Sequence, residues 1–382
     1  MNLLDSVRRM RRKAPAGFRF SRPLVLLQSD DWGRVGVRDT EGREELRAAG
    51  IELGEKPYDW YSLETAEDVG ALADVLRSVR DAAGNPACLG MNFVTANVDF
   101  AASAACEFRE IKLKPLADGL PGRWSRPGLA SAYRSGIDAG VFAPALHGVT
   151  HFCQQAVLRA LRSEGPQGEL LRKLWQNDTP YIYWRMPWVG YEYWDLEQRP
   201  SERFLSFELQ QRWIEYAAQS FRAFFGVGPR SACAPGYRAD AATHRAWTEQ
   251  GIRFAQNGPG QVAGPYFDEQ EILHSYRSLD FEPALNPGIG WEECCVQAEQ
   301  WLARGLPFVI STHSINIHST LARFRERTLP LLGNLLRGLQ HRFSNLLFVN
   351  DAQLLQIVET GSYEGAGGRV EVAVKREGRE AK

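Results

Sequence analysis

Three short stretches of this chain hold the residues best suited to chemistry. HGVTH places His147 and His151 four residues apart. On a helical turn that spacing puts both imidazoles on one side, where they can share a metal ion. SDDWG places Asp30 and Asp31 directly after the apolar run PLVLLQS. Two adjacent carboxylates at the end of a buried strand are costly unless a cation or a proton offsets their charge. Two imidazoles and one carboxylate make a facial set that leaves positions on a divalent ion open to water and substrate. The second carboxylate is then free to act as a base toward a water whose pKa the ion lowers. ISTHSINIH supplies His313 for the opposite task, because a histidine can protonate a leaving group near neutral pH. Singly, each stretch has an ordinary structural alternative: a helix cap or loop acid, two polar residues at a strand exit, a satisfied core histidine. Jointly they favour a metal-dependent hydrolase.

The elements that must position these residues alternate along the chain. Strands are expected over 23–29, 88–95, 141–146, 230–234, 253–257, 306–312 and 345–350, with another running through ILHSYRSLDF from Ile272. Between them the spacing predicts helices. One is entered at Thr65 with Asp68 completing a capping box, one starts at Leu129, and a long helical region begins near Phe152. Others end at Gly226, follow the cap Asp240, cover WEECCVQAEQWLARG, and follow the cap Asp351. Such alternation implies a parallel sheet, open or closed into a barrel, of about seven strand–helix units. The unusual polar residues follow the strands: Asp30 and Asp31, then Asn97, then His147 and His151, then Pro235 to Asp240, then His313. In parallel barrels such positions converge on one mouth.

Composition narrows the function classes. With a formal net charge of -1, no global field recruits nucleic acid or an anionic membrane. No apolar run approaches the length of a membrane helix, and MNLLDSVRRMRRK is not followed by an apolar signal core, so a cytoplasmic location is expected. The six cysteines show no metal-type spacing and are expected to be reduced. Nothing in the sequence assigns an oligomeric state. The expected organisation is a basic arm over 1–20, a barrel domain over 21–360, and a mobile tail over 361–382 in which VEVAV could add an edge strand.

The chain resembles the polysaccharide deacetylase superfamily, carbohydrate esterases with a distorted (β/α)7 barrel. SDDWG is similar to that family's first motif, HGVTH to its second, CAPGYR to its third, and ISTH to the late motif carrying an acid histidine. The resemblance implies Asp30 as base, Asp31, His147 and His151 as ligands of Zn²⁺ or another divalent first-row metal, and His313 as acid. It also implies a carbohydrate or other N-acetylated substrate. Trp32, Asn97, Pro235, Tyr237 and Arg238 are expected at the substrate mouth, together with part of the aromatic segment 181–194. In one departure, Trp32 stands where the family has Gly after the Asp pair. In a second, Cys233 stands where the family has an Arg that orients the base, and Arg238 or Arg34 is expected to substitute in space. The function implied is N-deacetylation of an acetamido sugar or polysaccharide intermediate. The alternatives are an amidohydrolase on a non-sugar amide, or a metal-retaining carbohydrate-binding barrel without turnover.

Overall fold

Leu24, Val25, Leu26 and Leu27 open a strand whose every residue through Trp32 is buried. A run buried on both faces belongs to a parallel sheet covered by helices. The computed structural model describes residues 17–182, 185–260 and 263–377. In it, this strand, β2 (Leu24–Trp32), follows the short β1 (Phe18–Phe20). Next come β3 (Leu89–Phe93), the antiparallel pair β4 (Ala96–Val98) and β5 (Leu113–Pro115), then β6 (Phe142–Leu146), β7 (Ser231–Cys233) and β8 (Phe254–Asn257). They are followed by β9 (Tyr266–Phe267), β10 (Leu273–Tyr276), β11 (Leu279–Asp280), β12 (Phe308–His313) and β13 (Leu347–Phe348).

The main sheet runs β11–β12–β2–β3–β6–β7–β8–β10–β9, with β13 added to β2. Its pairs are parallel except β10 with β9. The single strand expected from Ile272 is in two pieces. β10 pairs with β8 at one margin, whereas β11 pairs with β12 at the other. Only Arg277 and Ser278 lie between them. The Arg277 amide donates to the Asn257 carbonyl at 3.1 Å and the Ser278 amide to the Val309 carbonyl at 2.8 Å, so the chain itself bridges the margins. Counting β10–β11 as one interrupted stave, β2, β3, β6, β7, β8 and β12 complete a barrel of the (β/α)7 type.

Helices cover the outside, seated by the capping residues the sequence offers. Thr65 and Asp68 form the expected capping box of the helix Ala66–Arg77, which buries Val69, Leu72 and Leu76 against the sheet. Each such buried aliphatic side chain stabilises the fold by about 1.5–3 kcal/mol. Asp240 caps Ala241–Glu249 as expected. The last helix, Asp351–Thr360, is capped by Asn350 in place of the expected Asp351. The Asp351 carboxylate turns into the barrel, where it accepts from Gln28 and Gln256.

The segment beyond Gly361 is paired through residue 376. β14 (Ser362–Gly365) and β15 (Gly368–Glu371) form a hairpin, and β16 (Val374–Arg376) lies antiparallel to β1. Buried Tyr363 and Val372 draw it onto the barrel. VEVAV thus contributes strand residues, to the hairpin through Val370 and Glu371 and to the pairing with β1 through Val374. The basic cluster Arg8–Lys13 lies outside the described residues. Among the described residues no helix is long and apolar enough to cross a membrane. All six cysteines are free.

Candidate metal centre and acid–base site

The end of β2 is irregular where chemistry is expected. Its register against β3 shifts between Ser29 and Trp32, and Asp31 takes the left-handed conformation at φ 74°. In a regular strand, successive side chains point to opposite faces. The bulge re-aims one of them, so both carboxylates reach the barrel mouth from neighbouring positions. Trp32 is displaced by the same turn. It is fully buried in the core, so its expected place in the mouth is corrected.

His147 and His151 follow β6, but on a loop and not the expected helical turn, since Gly148 (φ 80°) and His151 (φ 75°) are both left-handed. Glu192, fully buried within the aromatic segment, holds that loop. One of its carboxylate oxygens accepts from the Thr150 amide at 2.9 Å and the His151 amide at 3.0 Å. Burial pushes the Glu192 carboxyl up to about 7 despite those bonds. The His147 Nδ1 lies 2.8 Å from the Cys233 carbonyl oxygen, which can only accept. The neutral ring therefore carries its proton on Nδ1 and presents the Nε2 lone pair elsewhere.

That lone pair faces Asp31. The Asp31 Oδ1 lies 3.6 Å from His147 Nε2 and 3.3 Å from His151 Nε2. The ligand atoms of the three residues fall within 4.8 Å of one another. Asp31 Oδ1 is buried and makes no hydrogen bond. A buried carboxylate oxygen without a donor, flanked by two imidazole nitrogens, fits a divalent cation. The local field agrees. Burial lowers the His147 pKa, but Asp30, Asp31 and Cys233 raise it to about 10, so this point attracts positive charge. The other Asp31 oxygen meets Arg34 at 3.2 Å, whose guanidinium stacks 3.9 Å over the Tyr61 ring. Burial raises the Asp31 pKa, yet Arg34 and His151 hold it well below the usual carboxylate range.

Asp30 is held by a different cation. Arg277 grips it with both arms, Nη2 to Oδ1 at 2.6 Å and Nη1 to Oδ2 at 2.7 Å. The Arg277 side chain is fully buried and also meets Ser311, Gln256 and the Tyr237 hydroxyl. Burial raises the Asp30 pKa, but Arg277 and His147 outweigh it and keep the carboxyl ionised. The Asn92 amide adds a donor to Oδ1 at 2.5 Å. Neither expected substitute does this. Arg34 pairs with Asp31, and Arg238 stacks over the Trp194 ring at 4.7 Å. Cys233 lies beside the pair, its sulfur 3.8 Å from Asp30 Oδ2 and 3.7 Å from Arg277 Nη2. Sequence reasoning missed Arg277 because it ran one strand through ILHSYRSLDF. Arg277 follows β10 directly, which is the strand-exit signal that marked the other residues.

His313 ends β12 in register with Asp30. Its Nε2 lies 3.7 Å from Asp30 Oδ2, and its Nδ1 donates to Glu282 at 2.6 Å. The Asn316 amide holds the second Glu282 oxygen. Burial lowers the His313 pKa, but Glu282 and Asp30 raise it to about 9. Of the other residues expected at the mouth, Tyr237 is 36% exposed above Arg277, and Pro235 is buried at the start of its turn. Asn97 is buried and structural, its carboxamide accepting from the Val35 amide and donating to the Gly33 carbonyl. The aromatic segment reaches the centre: the Tyr181 hydroxyl lies 3.1 Å from His151 Nδ1, and the Tyr191 ring is 5.9 Å from the His151 ring.

Neither a family model nor a curated protein matches this chain. Solved structures of polysaccharide deacetylases are similar to it. A family 4 carbohydrate esterase from Streptomyces lividans, in complex with acetate, is 12% identical over 86% of this chain and 91% of its own, with a TM-score of 0.34. The chitin deacetylase of the fungal pathogen Colletotrichum lindemuthianum is 11% identical over 88% and 91%, with a TM-score of 0.37. A mutant of a CE4 family pseudoenzyme is 10% identical over 90% and 72%, with a TM-score of 0.39. At these identities and TM-scores the likenesses carry no residue's role across, and each role here rests on this chain's own geometry.

Proposed function

We propose that this chain is a metal-dependent hydrolase that removes the acetyl group from an acetamido sugar, free or within a polysaccharide intermediate. The observation that carries the reading is the convergence of Asp31, His147 and His151 on one point, with Asp30 and His313 beside it. A divalent ion such as Zn²⁺, held by Asp31, His147 and His151, would supply Lewis-acid polarisation of the acetyl carbonyl and lower the pKa of a water. Asp30, ionised and fixed by Arg277 and Asn92, is placed to take a proton from the attacking water. His313, kept protonated by Glu282, presents Nε2 to give a proton to the departing amine. Tyr237, exposed above Arg277, offers an aromatic face to a sugar ring.

Acetate release from N-acetylglucosamine oligomers by the metal-loaded protein tests the proposal. Release that stops on chelation and returns with metal is the expected result. Metal retention with no acetate released from any acetamide would leave only the carbohydrate-binding alternative. Release confined to non-sugar acetamides would leave the amidohydrolase.

Two pH profiles test the assigned roles. Arg277→Lys keeps the charge but loses the two-armed grip, so the Asp30 pKa rises toward its ordinary value. The base is then ionised only at higher pH, and the acidic limb of kcat/KM moves up by about one unit or more. An unmoved limb would show that Arg277 does not act through Asp30. Glu282→Gln removes the negative charge that keeps His313 protonated. The imidazolium is then lost at lower pH, and the alkaline limb moves down by about one to three units. An alkaline limb left in place would assign the acid to another group.

A further inference from the structure

We propose that a cavity of about 320 Å³ on the outer side of the barrel binds a small anionic amphiphile, an acyl or aryl body carrying a carboxylate or phosphate. It lies among the segment after β5, the helix Leu129–Asp138 and the helix Phe207–Phe225, and none of the proposed metal ligands lines it. Its walls are apolar, with Leu116, Leu120, Trp124, Leu129 and Phe224 facing the space. That size and lining suit a ligand with a short apolar body.

One charge lines this apolar space. Arg126 is fixed by neutral acceptors: the Leu63 carbonyl at 3.2 Å, the Ser125 carbonyl at 3.0 Å, the Arg38 carbonyl at 2.8 Å and the Ser62 hydroxyl at 3.1 Å. Four of the five guanidinium N–H groups are thereby used, one remains, and no carboxylate of the described residues pairs with the charge. Burial lowers its pKa, and Asp39, Glu64 and Asp68 offset that only in part. A half-buried guanidinium anchored by neutral acceptors, with no carboxylate in direct contact and one N–H unused, is a ready partner for an anion.

The helix at the rim points the same way. Leu129–Asp138 begins against the cavity, and its N-cap, Gly128, has no side chain to accept from the first turn. The partial positive charge of that helix end adds to the field of Arg126. Gly33 and Tyr133 also line the cavity, and Glu64 ties them together by accepting from the Gly33 amide at 2.9 Å and from the Tyr133 hydroxyl. An apolar body can therefore lie along the leucine and tryptophan walls with its anionic head at Arg126.

Calorimetric titration of the full, metal-loaded chain with octanoate, octyl phosphate and octanol tests this. Octanoate and octyl phosphate should bind at one site, and octanol about tenfold more weakly or worse. Arg126→Gln should erase the preference for the anions while leaving octanol binding unchanged. Ala130→Phe, which fills the cavity, should abolish binding of all three. Where Arg126→Gln fails to fold, Arg126→Lys takes its place and must still prefer octanoate to octanol. No saturable octanoate binding up to about 1 mM, which is the weak end of specific affinity, would overturn the proposal. So would equal affinity for octanoate and octanol, octanoate binding that survives Ala130→Phe, or binding to phosphatidylglycerol vesicles without binding of the free amphiphiles.

Discussion

Asp30→Asn should leave metal content nearly unchanged and lower kcat by about 10²–10⁴-fold, the usual contribution of a positioned general base. Both Asp30 oxygens are committed to Arg277, at 2.6 and 2.7 Å, whereas Asp31 Oδ1 stands buried without a donor. The carboxylate with a free oxygen is the one available to a cation, and the one already ionised and oriented is the one available to a proton. The substituted carboxamide keeps the shape but offers no basic oxygen. It also leaves Arg277 facing a neutral group, and breaking a buried ion pair in this way costs about 3–5 kcal/mol. Metal analysis and kinetics therefore belong well below the melting temperature, which the substitution lowers. The assignment has a definite competitor, because Asp30, His147 and Cys233 also place ligand atoms within 4.8 Å of one another. If the Asp30 variant loses its metal while Asp31→Asn retains it, the ion belongs to that second group.

His147→Ala should remove most of the bound metal and, with it, the activity. His147 is fully buried, its tautomer is set by the Cys233 carbonyl, and its Nε2 faces the unsatisfied Asp31 oxygen. Two remaining ligands do not complete the three-residue set that open metal sites use. Of the three candidate ligand groups among the described residues, the histidine belongs to both at the barrel mouth and not to His244, Asp268 and His274, so its removal is the largest single loss the site can suffer. Elemental analysis after dialysis reads the result directly. A variant that holds a full equivalent of metal would move the ion elsewhere. Added metal should restore part of the activity of Asp31→Asn, where two imidazoles survive, and much less of His147→Ala.

The site was legible wherever a strand announced its own end. SDDWG, HGVTH and ISTH each follow an apolar run, and parallel staves carry such exits to one mouth. Legibility failed where local conformation overrode that rule. A bulge at Asp31 swings Trp32 into the core, and periodicity cannot reveal a left-handed residue inside a strand. Arg277 was hidden because ILHSYRSLDF reads as one strand, although its two halves pair with opposite margins of the sheet. Glu282 and Glu192 were hidden for another reason. Each is an ordinary surface-type residue that becomes informative only once its carboxylate is seen against His313 or the His151 loop. The hairpin after Gly361 was not legible, because glycines and charges in that segment carry no alternating apolar pattern.

The two-residue gap between β10 and β11 acts as a gauge of the hoop it closes. Its backbone is fastened to one margin through Arg277 and to the other through Ser278, and the Arg277 side chain ends on the catalytic candidate Asp30. One residue more or fewer there would displace the guanidinium along the stave by about 3.3 Å, the rise of a single strand residue. That exceeds the reach of its hydrogen bonds. The closure of the barrel and the ionisation of Asp30 thus depend on the same two residues. A chain that closes on the wrong count would retain its helices and most of its core, yet carry a carboxylate without its counter-charge.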